Sequence, residues 1–194
     1  RMEKQDFDSI NFQDIPSEFY CDSNNSMFEK CTFCRKKLFS SSETYLIEKS
    51  FKINSNNGKK NTVFEFAICM SCNLKKMNAM SSESVSNIKS YMQDNFSQAD
   101  WKLKTNSGLN LFEKCAVSGK NVKELLEYNI IGQFFSTKMV VGHFPILLSP
   151  VIGEEIQELL SQETKDEFDD FMNTINDVPP ELKELFKVKR PVIV

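Results

Sequence analysis

The sequence predicts an α+β fold of two tandem modules, each a β-hairpin followed by helices, the first organised by a four-cysteine site. Two observations predict the first module: a pair of Cys-x-x-Cys motifs, and between them a strand-turn-strand pattern that runs on into a helical one. The third observation is a partial recurrence of the same residues in the same order further along, which predicts the second module. The 194 residues, 40% apolar and 26% charged, suffice for one compact domain or two small ones. Phenylalanine supplies most of the aromatic surface, 17 residues against one Trp and four Tyr. No apolar run approaches the roughly 20 residues of a membrane helix. Arg1-Met-Glu-Lys-Gln-Asp leads into acidic residues where a signal peptide would be apolar. The expectation is a soluble, cytoplasmic chain with no membrane partner.

Residues 1–26 read as an N-terminal arm, acidic but carrying Phe7, Ile10, Phe12, Ile15, Phe19 and Tyr20, and are expected to pack across the modules. The first module, 27–96, holds Cys31-Thr-Phe-Cys34 and Cys69-Met-Ser-Cys72. Between them, Tyr45 to Ile53 alternates apolar and polar residues, with Lys49 as the exception, as a half-buried strand does. Asn54-Ser-Asn-Asn-Gly58 is a turn, and Phe64, Phe66 and Ile68 mark the returning strand. A helical stretch follows Cys72, then Ser81 as an N-cap, then Ile88, Tyr91 and Met92 at the spacing of a buried helix stripe. Residues 97–110 form a polar connector anchored by Trp101.

The second module, 111–176, repeats these features in order. Phe28-Glu-Lys-Cys31 recurs as Phe112-Glu-Lys-Cys115, and Tyr45, Ile47 and Phe51 match Tyr128, Ile130 and Phe134. Phe64 and Phe66 match Phe144 and Ile146, Ser81 matches Ser161, and the helix stripe recurs as Phe168, Phe171 and Met172. His143, the only histidine, falls in the strand equivalent to Val63–Ile68. Cys34, Cys69 and Cys72 are replaced by Ser118, Ser149 and Ile152, so this copy is expected to bind no metal and to rely on packing, with Cys115 a small buried residue. Residues 177–194 read as a C-terminal helix begun by Pro179-Pro180, and a tail ending Pro191-Val-Ile-Val194.

Cys31, Cys34, Cys69 and Cys72 carry the chemistry. Two thiolates three positions apart grip a metal from one side, and a second pair completes a tetrahedron with bonds of about 2.3 Å. Such a site is closed, and its role is structural. A disulfide framework suits a secreted mini-protein rather than this chain, whereas iron in place of zinc, or a redox role for Cys69 and Cys72, remain alternatives. With these motifs and the hairpin between them, Phe28 to Phe96 resembles zinc ribbons and related four-cysteine zinc modules. The resemblance implies one structural zinc per chain and no particular activity.

No G-x-S-x-G, H-E-x-x-H or phosphate-cradling glycine loop occurs, and the carboxylates between Glu163 and Asp170 sit at solvated-face spacing. The expected function is therefore non-enzymatic: a zinc-stabilised binding or regulatory protein acting through protein–protein contacts. Charge is uneven, with a net of about +7 from Lys30 to Lys76 and about −9 from Glu154 to Leu185. The acidic stretch suits a basic protein partner. The basic stretch supports the alternative, a nucleic-acid-binding module using Arg35, Lys36, Lys37, Lys59 and Lys60.

Overall fold

The computed structural model describes residues 11–96, 112–174 and 180–188. Within them lie six strands of one antiparallel sheet and five α-helices: β1 (Asn11–Asp14), β2 (Tyr45–Ile53), β3 (Lys60–Cys69), α1 (Met70–Asn78), α2 (Ser82–Asn95), β4 (Glu127–Phe135), β5 (Lys138–Val141), β6 (Ile146–Leu148), α3 (Pro150–Glu158), α4 (Gln162–Thr174) and α5 (Pro180–Val188). The fold is α+β. The expected connector, Phe7, Ile10 and the Pro191–Val194 tail lie outside the described residues.

The β2–β3 hairpin forms where the alternation places it. Its Asn54–Lys59 turn is held by Asn54 Oδ1 and Asn57 Oδ1, which accept from the N–H groups of Asn56 and Lys59 at 2.9 Å each, and Gly58 takes the left-handed φ of 67° that the turn needs. The expectation of a half-buried strand is corrected for β2, which is buried on both faces from Tyr45 to Phe51, Glu48, Lys49 and Ser50 included. The reason is its place in the sheet. Strand order is β1-β5-β4-β2-β3, so β2 is flanked by β3 and β4, and β6 continues the β5 side of β4. The hairpins of the two halves of the chain thus share one sheet.

On one face of β2, Tyr45, Ile47, Lys49 and Phe51 lie opposite Phe134, Gly132, Ile130 and Tyr128 of β4. The arm covers this face. Phe19, fully buried, packs edge-on against Phe134 with centroids 5.0 Å apart. Lys49 Nζ reaches the Tyr20 carbonyl, Asp22 Oδ1 at 2.7 Å and Glu65 Oε2 at 2.8 Å, which satisfies all three ammonium protons. The residue that interrupts the apolar alternation is therefore the one that ties the arm to the sheet. Helices cover the opposite face, where Phe186 of α5 meets Phe64 and Phe66 at 5.4 Å each.

In the second half the returning strand is broken. The Phe144–Pro145 peptide is cis, and Gly142 to Pro145 separates β5 from β6. Proline offers no N–H to a ladder. His143 accordingly sits in this bend and not in a strand, a correction to its expected place; burial lowers its pKa.

Four hydroxyls link the starts of α2 and α4. Ser81 and Ser161 each accept the N–H three residues on, from Ser84 and Thr164, at 3.2 Å, as N-caps do. They also meet across the helix pair: Ser81 Oγ and Ser161 Oγ are 2.8 Å apart, the Ser81 N–H donates to Thr164 Oγ1 at 2.9 Å, and the Ser161 N–H donates to Ser84 Oγ at 2.8 Å.

Gly132 tests the arm packing. A Cβ there would lie 2.6 Å from Phe134 Cζ and 2.7 Å from Phe19 Cζ. Gly132→Ala is expected to destabilise the protein by about 1–3 kcal/mol, the usual cost of overpacking, read by urea unfolding followed by circular dichroism. An unchanged midpoint would show that Phe19 does not hold this place.

Candidate metal centre

The first ligand pair sits on a tight turn held by its own backbone. The Cys31 N–H donates to the Lys36 carbonyl at 2.9 Å, the Arg35 N–H to the Cys31 carbonyl at 3.0 Å, and the Leu38 N–H to the Glu29 carbonyl at 2.9 Å. Arg35 closes the turn at a φ of 62°, a conformation that costs a non-glycine residue roughly 1 kcal/mol. The turn docks on β3 through Thr32, whose N–H donates to the Ala67 carbonyl at 2.8 Å and whose Oγ1 accepts from the Ala67 N–H at 3.1 Å. The second pair needs no loop: Cys69 ends β3 and Cys72 lies in the first turn of α1. All four sequence-predicted ligands converge.

Their sulfurs lie within 4.8 Å of one another, with Cys34 and Cys69 3.6 Å apart. Thiolates bound tetrahedrally at about 2.3 Å stand about 3.8 Å from each other, so the cluster is of a size to hold a metal ion. Cys31, Cys69 and Cys72 are buried and Cys34 is exposed, which leaves the site reachable from one side. Burial pushes the Cys31 thiol up to about 11 and likewise raises Cys72. Burial acts the same way on Cys34, but the Lys36 N–H and the neighbouring thiols hydrogen-bond its sulfur and bring the net shift below the ordinary thiol value. Since a metal binds thiolates, loading must release protons.

The sequence-equivalent turn in the second half has the same backbone bonds. The Cys115 N–H donates to the Lys120 carbonyl at 2.9 Å, Gly119 to the Cys115 carbonyl at 3.0 Å, Val122 to the Glu113 carbonyl at 2.8 Å, and Ala116 to the Leu147 carbonyl at 2.8 Å. Gly119 has a φ of 69°, the left-handed conformation that Arg35 adopts. The Ser149 N–H donates to Cys115 Sγ at 3.4 Å, as the Cys69 N–H does to Cys31 Sγ at 3.4 Å. Cys115 is buried, as expected. Among the described residues Cys31, Cys34, Cys69 and Cys72 are the one group arranged to hold a metal.

Of the residues named for nucleic acid, Arg35, Lys36 and Lys37 flank the cluster while Lys59 and Lys60 stand at the start of β3. Ten residues of strand, roughly 30 Å, separate the two groups. Lys36 pairs with Glu43 at 3.1 Å, and Lys60 Nζ lies 4.7 Å from the Phe51 ring centroid. The sequence reading missed the Lys49, Asp22 and Glu65 network; its one signal was the lysine at an apolar position of the strand.

No family model, curated protein or solved structure matches the chain. The candidate metal centre therefore stands on its own geometry. Protein purified at neutral pH is expected to carry about one metal per chain by elemental analysis, and to lose it on Cys69→Ser substitution. Proton competition for the thiolates makes the affinity fall as pH falls, measurable by chelator competition between about pH 8 and 5. A metal-free protein that folds and stays folded would refute the site.

Proposed function

We propose that the chain is a non-enzymatic protein, stabilised by one structural zinc, that acts through contacts with another protein. The observation that carries this reading is the thiolate set itself: four sulfurs within 4.8 Å of one another would fill the tetrahedral positions of one metal ion and leave none for substrate or activated water. Zinc is favoured because four thiolates suit it and it brings no redox chemistry.

The same reading includes a tandem duplication folded about a two-fold axis. With Tyr45, Ile47 and Phe51 equivalent to Tyr128, Ile130 and Phe134, the β2–β4 register pairs Tyr45 with Phe134 and Phe51 with Tyr128, and sets Glu48 against its own counterpart, Ile131. Isologous pairing has that property. The Ser81–Ser161 contact is likewise between equivalents. The helices also cross over: Tyr91 OH donates to Glu155 Oε2 at 2.7 Å, while Phe171 packs on Phe33 at 6.0 Å, so each half's second helix reaches the other half. The second copy has lost its metal and kept its fold, which supports a role in presenting surface.

Restoring the missing ligands tests the duplication. Ser118→Cys, Ser149→Cys and Ile152→Cys together are expected to raise cobalt binding from one to about two ions per chain, read from thiolate-to-cobalt absorption. A stoichiometry that stays at one would argue against equivalent sites.

The nucleic-acid alternative has the weaker support, since its basic residues occupy two separated places and the acidic α3 and α4 repel phosphate. Fluorescence anisotropy at about 50 mM salt, where phosphate contacts are strongest, is expected to show micromolar or weaker binding without sequence preference. Sub-micromolar, steeply salt-dependent binding that disappears in Arg35→Glu, Lys36→Glu and Lys37→Glu would overturn the protein-binding reading.

A further inference from the structure

The two halves of the chain differ over the cysteine turn. In the first half, Glu43, two residues before Tyr45, accepts from Lys36 Nζ at 3.1 Å and from Ser71 Oγ at 2.9 Å. These bonds, from Ser71 first, hold its carboxyl below the ordinary value. A polar clasp thus links the segments that carry the two cysteine pairs. The matching positions of the second half are Lys120, Leu126, two residues before Tyr128, and Val151. The clasp is gone, and two apolar side chains replace its carboxylate and its hydroxyl.

Leu126 is 58% exposed and Val151 60%, more than any other large apolar residue described. Both line a cleft of about 900 Å³ that also takes in Ser118, Ser149 and Ile152, the positions where ligands are missing. Its far wall is Lys52 to Asn56, the end of β2 and the start of the hairpin turn. The cleft therefore joins apolar side chains to open solvent, at a place where the first half carries the polar clasp. Isolated exposed apolar residues are ordinary, but two at the mouth of one cleft form an apolar anchor point.

Charge defines the occupant. Glu124 and Glu155 line the cleft, and the exposed Glu154 and Glu158 of α3 extend the negative surface beside it. Of the two cations on the wall, Lys52 is paired with Glu127 at 3.1 Å, and Lys120 is outnumbered by Glu124, Glu155 and the neighbouring Glu154 and Glu158. We propose that this cleft binds a short segment of a partner protein in which apolar side chains are flanked by lysine or arginine, the apolar groups covering Leu126 and Val151 and the cations meeting the acidic rim. The assignment rests on the protein-binding reading above and names its surface and partner chemistry.

The test uses the whole 194-residue chain with zinc bound. A phage-displayed library of random peptides of about 12 residues, long enough to cross the cleft, is selected on it, and the most enriched peptide is synthesised with a fluorescein label for anisotropy. Enriched sequences are expected to combine Leu, Ile or Phe with Lys or Arg. Affinity is expected to fall about tenfold or more in the double variant Leu126→Ser/Val151→Ser, whose surface positions leave the fold intact, because exposed apolar area is then no longer covered on binding. Glu124→Lys should weaken binding at low salt and less at high salt. The reverse pair, Glu43→Leu/Ser71→Val, should leave it unchanged. Peptides that bind the double variant as tightly as the native chain would overturn the cleft while leaving a protein partner elsewhere on the molecule. An acidic consensus, or no enrichment, would overturn the assignment outright. Concentration-dependent dimerisation abolished by the double variant would give the cleft to a second copy of the chain instead.

Discussion

The antiparallel pairing of β2 with β4 is the constraint on which the rest of the structure depends. Each strand belongs to a different hairpin, and each hairpin alone would present an unpaired edge and two faces to water, an arrangement of marginal stability. Joining them turns β2 into a central strand, so Glu48, Lys49 and Ser50 become interior residues and a single core extends beneath both hairpins. Tyr45 stacks on Phe134 at 5.4 Å and Phe51 lies 5.3 Å from Tyr128, one aromatic pair at either end of the seam. Cross-strand aromatic pairs of this kind favour one register over slipped alternatives.

Polar groups buried by that pairing need partners, and the chain supplies them from distant segments. Glu48, fully buried, accepts from Asn129 Nδ2 at 2.8 Å across the seam. Lys49 takes its partners from the arm and from β3. Buried ions recover little net stability from their attraction, because desolvation opposes it. Their effect here is positional: the arm can dock only where Asp22 reaches Lys49 and where Gly132 leaves room for Phe19.

The cysteine cluster and the matching turn of the second half show one backbone turn completed in two ways. In the first half, four sulfurs converge and a metal would tie the turn to the end of β3 and the start of α1. In the second, the Cys115 sulfur accepts the Ser149 N–H and buried Ile152 fills the helix position by packing. Backbone hydrogen bonds hold the turn in both, so the turn itself does not require four cysteines. What changes is the outer surface, from a polar clasp to open apolar side chains.

The sequence by itself determined the local pieces and the site. Motif spacing identified Cys31, Cys34, Cys69 and Cys72 because metal geometry demands paired thiols, and alternation located β2 and β3 because side chains in a strand point to opposite faces every second residue. Ser81 and Ser161 were legible as caps for an equally local reason. Only the tertiary structure decided that the two hairpins share a sheet, that Lys49 lies inside it, that the strand carrying Val141 breaks before Ile146, and that Lys59 and Lys60 stand far from Arg35. Those facts depend on which distant segments meet, and periodicity and spacing record only what each stretch prefers alone.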